Sequence, residues 1–157
     1  MSYWSLLLYI LILIIIIIIS IIYTISIDNL ARLPADPNNN TTNDRLIEDV
    51  LLIGSLIIIF LIFLIALLLT ILVLIYYNIS TNRAGSLVLY LSIAVVIFVI
   101  FIGLLSLYLL SILNDVNIID TMSKNIITSS TNWIIVSTIG LAIVLILSII
   151  GIFTIYD

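Results

Sequence analysis

The densest group of residues able to do chemistry is Asp44, Glu48 and Asp49, with Arg45 spaced to pair with Asp49 on one helical turn. Paired carboxylates can act as general acid and base when a fold positions them and shifts their protonation. Here the spacing fits a plainer role. Asp44 is placed as the N-cap of a helix, with Glu48 and Asp49 in the first turn, where negative charge suits the helix dipole. Asp120 and Lys124 form a second favourable spacing, i to i+4.

Other chemistries lack their residues. The chain has no cysteine and no histidine, which removes thiolate catalysis, disulfides, iron–sulfur ligation and imidazole-bound haem. A zinc site made of carboxylates alone is improbable. The expectation is no catalytic residue, no metal, no cofactor and no small-molecule substrate. The net charge of -4 offers neither a basic surface for nucleic acid nor a polybasic cluster for anionic lipid.

The elements around these residues dominate the chain. Four stretches, 3–27, 50–77, 86–113 and 133–156, contain no ionisable side chain among Asp, Glu, Lys, Arg and His. Each exceeds the roughly 20 residues of helix that cross a hydrocarbon core about 30 Å thick. A hydrophobic fraction of 65% with 8% charged residues lies outside the range of soluble domains. The first stretch lacks a positive n-region and is about twice the length of a signal-peptide core, so it reads as a retained span. The β-branched run Ile14–Ile19 would disfavour a helix in water. In lipid the helix is imposed by the backbone's need for hydrogen bonds. The expected fold is therefore an all-α integral membrane protein, one domain over 1–157, with four transmembrane helices in an antiparallel bundle.

Residues 28–49 hold both prolines, Pro34 and Pro37, and the polar tract Asn38–Asn43, and read as an irregular exposed loop. Asn78–Gly85 is a short turn. In the third connection Val116, Ile119, Met122 and Ile126 recur at helical spacing, which predicts a short interfacial helix over 115–127. Ser130 or Thr131 would then cap the fourth span.

This topology puts both termini on the side of the short loop. Counting Arg32, Arg45 and Lys124 against Arg83 would place the long loops inside. The acidity of those loops and the overlapping sequons that begin at Asn39 and Asn40 argue the other way, and the termini are assigned to the cytoplasmic side. A further sequon begins at Asn78, at a membrane edge.

Helices in lipid associate through close contact of small residues and through interhelical hydrogen bonds. At 100° per residue, Ser137, Gly140, Val144, Ser148 and Gly151 share one face of the fourth span. Gly85, Ser92, Val99, Gly103 and Ser106 do so on the third. Ser55, Ile59, Ile62, Ala66 and Thr70 form a narrower row on the second. These rows read as the inward seam of the bundle, or one of them as a dock for another protein. Aromatic residues near the span ends form two interfacial belts, with Tyr3, Trp4, Tyr76, Tyr77, Tyr90 and Tyr156 on one side and Tyr23, Tyr108 and Trp133 on the other. Tyr9 lies deepest and needs a hydroxyl partner.

The class these features imply is a non-catalytic structural or accessory subunit of a larger membrane complex, of the respiratory or energy-converting kind. Its partners would be other integral membrane subunits and structural lipids. The alternatives are a self-associating viral or vesicle envelope protein that anchors a coat, and an oligomeric pore lined by hydroxyls.

Overall fold

A computed structural model describes residues 3–33, 41–81, 85–117 and 121–156, with the side chains of 41–43 and 156 excepted. Four helices account for nearly all of them: α1 (Tyr3–Ala31), α2 (Thr41–Thr81), α3 (Ser86–Asp115) and α4 (Thr121–Tyr156). All four are long and apolar enough to cross a bilayer. At 1.5 Å per residue the 41 residues of α2 reach about 61 Å and the 36 of α4 about 54 Å, well beyond a hydrocarbon core.

Each helix packs on two neighbours, α1 on α2 and α4, and α3 on α2 and α4, leaving α1 and α3 diagonal. Neighbours run antiparallel. Ser5 meets Thr154, Tyr9 faces Gly151 and Ile19 faces Gly140, so α4 descends as α1 rises. Both helix ends named by Ser5 and Thr154 therefore lie at one end of the bundle.

The buried residues follow one rhythm in every helix. On α1 they are Ser5, Tyr9, Ile12, Ile16, Ile19, Tyr23, Ser26 and Leu30, with Ile27 buried beside the row; on α2, Val50, Gly54, Ile57, Leu61, Leu64, Leu68, Ile71 and Ile75. Steps of four and three alternate throughout. On α3 the same steps run from Val88 to Leu109, and on α4 from Ser123 to Gly151. A strict seven-residue period averages 3.5 residues per turn and keeps the seam inward only if the helices wind left-handedly around each other. Along the α2–α3 seam Phe60 adds an edge-on contact with Phe101 at 5.3 Å and a tilted one with Phe98 at 6.4 Å.

Four sequence expectations are corrected here. Residues 121–127 are the opening turns of α4 rather than a separate interfacial helix, and Ser130 and Thr131 lie inside α4 rather than at a cap. The physical reason is that Ser123, Ile127 and Ser130 continue the buried rhythm of the bundle, while Met122 points outward. The chain breaks earlier, at Val116, whose ψ of 123° is extended. Asp44 is in the first turn of a helix that starts at Thr41, so it meets the dipole without being the cap. Arg45 does not pair with Asp49; an ion pair of the same i to i+4 spacing forms between Asp28 and Arg32 at 3.1 Å. The loop prolines, Asn39, Asn40, Ile119 and Asp120 lie outside the described residues.

Candidate functional site: a hydroxyl seam across the bundle

A tyrosine on a heptad position is long enough to reach across the bundle axis to the diagonal helix. Tyr9 and Tyr23 do this from α1, and both are fully buried. The Tyr9 hydroxyl donates to Ser92 Oγ on α3 at 2.8 Å, and Ser92 donates in turn to the Val88 carbonyl at 2.7 Å. Tyr23 bonds Ser106, and Ser106 Oγ lies 2.6 Å from Thr138 Oγ1 on α4. Thr138 donates its single proton to the Ile134 carbonyl at 2.8 Å. Ser106 must therefore donate to Thr138, and Tyr23 to Ser106. The donors run from Tyr23 through Ser106 to Thr138, end on the Ile134 carbonyl, and tie three helices together.

The two ties are in register. Each tyrosine is 83 residues from its serine. Diagonal helices in an up-and-down bundle run parallel, so equal spacing on both keeps the partners level. The ties are separated by about 21 Å along the axis. Each hydroxyl would be costly unpaired in a hydrocarbon interior, and no side-chain nitrogen or oxygen that is itself fully enclosed lacks a partner among the described residues.

Small residues on α4 make room for the bulk of α1. A methyl added at Gly151 would stand 2.8 Å from the Tyr9 hydroxyl oxygen and 3.0 Å from the ring. One added at Gly140 would stand 3.0 Å from the Ile19 δ-carbon. On α2, Gly54 receives the Ile27 side chain so closely that any Cβ would overlap it.

The sequence-marked residues divide in two. Ser92, Ser106, Ser137, Ser148 and Gly151 are buried, and Gly140 is half-buried against Ile19. These form the inward seam of α3 and α4. Ser137 and Ser148 spend their protons on the Trp133 and Val144 carbonyls of their own helix, as serines in membrane helices often do. Gly103 is half-buried, with no heavy atom of another helix within 4 Å of an added methyl, so it makes no close crossing. Ser55, Ala66 and Thr70 point the other way. They lie with Ile59 and Ile62 on the exposed side of α2, and the two hydroxyls bond the Leu51 and Ala66 carbonyls. The inward face of α2 is leucine and isoleucine, notched at Gly54.

Three participants were not marked by sequence reasoning: Thr138, Gly54 and the inward role of Tyr23. Its position in the sequence groups Tyr23 with Tyr108 and Trp133 in an interfacial belt. Those two are exposed and fit a belt, whereas Tyr23 points to the axis. The equal 14-residue intervals Tyr9–Tyr23 and Ser92–Ser106 are the signal that would have found it.

The arrangement fixes helices; its hydroxyls end on backbone carbonyls. No family model, curated protein or solved structure matches the chain.

Proposed function

We propose that this multi-pass membrane chain is a non-catalytic accessory subunit of a larger membrane assembly, held against neighbouring subunits by the outer face of α2. One observation carries this reading. Small residues serve helix contact in lipid, yet the Ser55–Ala66–Thr70 row is turned away from the chain's own bundle. The bundle has its own glycine and serine seam on α4, so the α2 row is surplus to internal packing. Its hydroxyls are already satisfied by their own helix, which lets the row meet an apolar neighbour without stranding a polar group. The two acidic connections, 28–49 and 114–132, with seven of the eight carboxylates, would meet soluble or peripheral partners. The termini are assigned to the cytoplasmic side.

The test is Ala66→Leu in the native membrane. The variant should fold as the wild type does, because position 66 is exposed in the bundle. It should also lose co-purification with integral membrane partners under mild detergent. Unchanged recovery of partners would refute the α2 face; recovery of copies of this chain alone, in wild type, would refute the accessory role.

A further inference from the structure

We infer that the cleft between the end of α1 and the start of α4 binds the headgroup of one zwitterionic phospholipid. Two hollows of about 400 and 280 Å³ share the walls Asn29, Ser129 and Ser130. The outer one adds Arg32 and Asn125; the inner one adds Ile22, Ile25, Ser26 and Trp133. The lining thus grades from charged and amide groups to hydrocarbon over a few turns. It does so at the level where α1 leaves its apolar run, marked by Trp133.

Ser26 and Ser130 give the cleft its polar floor. Each is 3% exposed, and neither hydroxyl has a hydrogen-bond partner among the described residues. Nor is either sealed from the cleft, since no buried side-chain oxygen is left unpaired. Two hydroxyls held open at a membrane boundary are matched by a ligand oxygen. Arg32 supplies a planar cation suited to phosphate, and the Asn29 and Asn125 amides add neutral donors. Asp28, 3.1 Å from Arg32, supplies an anion beside it.

The charge pattern selects the headgroup. A phosphate beside Arg32 and an ammonium beside Asp28 complement the pair as it stands. An anionic lipid would bring net negative charge to an end of the molecule where, among the described residues, Asp28, Asp44, Glu48, Asp49 and Asp115 outnumber Arg32, Arg45 and Lys124. The acyl chains would follow Ile22, Ile25 and the Trp133 ring along the α1–α4 groove. This site is separate from the outer face of α2 and does not depend on the accessory role.

The experiment uses the delipidated full chain in detergent, offered phosphatidylethanolamine or phosphatidylglycerol of identical acyl chains, with retained lipid counted by native mass spectrometry. One phosphatidylethanolamine per chain is expected, with about tenfold weaker retention of phosphatidylglycerol. Arg32→Gln should weaken phosphatidylethanolamine retention about tenfold, as expected for one lost charge-assisted contact. Asp28→Asn should narrow the preference between the two lipids, and Arg45→Gln should change nothing. The side chains of Arg32, Asp28 and Arg45 are all largely exposed, and an unaltered melting profile will show that the variants fold. Equal retention of both lipids, or an Arg32→Gln variant that binds as wild type, overturns the proposal. Equal retention of glycerophosphoethanolamine, which has no acyl chains, also overturns it, because the cleft would then hold a soluble phosphate ester.

Discussion

Replacing Gly151 with alanine puts a methyl carbon 2.8 Å from the Tyr9 hydroxyl oxygen, 3.0 Å from Cζ and 3.2 Å from Cε2. To restore an ordinary contact near 3.5 Å the ring must retreat by roughly 0.7 Å. Tyr9 is fully enclosed, so retreat displaces other core side chains, and overpacking of this kind costs about 1–3 kcal/mol. The same shift stretches or bends the 2.8 Å bond to Ser92, and an interhelical hydrogen bond in a membrane contributes about 0.6 kcal/mol on average, up to about 1.7. The expected loss is about 2–4 kcal/mol, the sum of the two effects. Reversible unfolding in mixed micelles, followed by Trp4 and Trp133 fluorescence, would measure it. The decisive comparison is the same substitution in a Tyr9→Phe background. The closest atom is then gone, and Gly151→Ala should cost about 1 kcal/mol less than in wild type. Equal costs in both backgrounds, or a neutral Gly151→Ala, would refute the placement of Tyr9 over α4.

Gly140→Leu should destabilise the bundle by about 1–3 kcal/mol through Ile19, whereas Gly103→Ala should stay within about 0.5 kcal/mol, because its surroundings are open; the same unfolding titration separates them. Tyr23→Phe should cost about 0.6–1.7 kcal/mol by removing the head of the donor chain to Ser106 and Thr138. A cost no greater than that of an exposed Tyr108→Phe would count against the tie. Asp44→Ala should lower stability by about 0.3–1 kcal/mol as the loss of a first-turn charge, measured at low salt and diminishing as salt is added.

The fold was legible because lipid imposes a rule that composition displays directly. Long runs without an ionisable side chain must cross as helices, and 3–27, 50–77, 86–113 and 133–156 each fall inside an observed helix. Orientation about each helix axis was harder to read. On α3 and α4 the serines and glycines break an otherwise uniform background, so they marked the seam. On α2 the same residue types face outward, since a helix that is apolar all round carries no contrast between core and lipid. The heptad was hidden for that reason: isoleucine and leucine fill the lipid-facing positions as well as the seam. Tyr23 shows a related difficulty. Its place near the end of the apolar run matches a belt residue, and only its pairing with a serine on the diagonal helix fixes its direction. At the opening of α4 the apolar spacing through Met122 and Ile126 lies one residue from the buried face, which is Ser123 and Ile127. Serines on buried positions lowered the apparent amphipathicity there.

Native mass spectrometry of the particle released gently from its own membrane tests the central claim most directly. The account predicts unrelated integral membrane chains at a fixed low ratio to this one, lost when Ala66 is enlarged. Release of the wild-type chain alone, or in contact only with copies of itself, would contradict it.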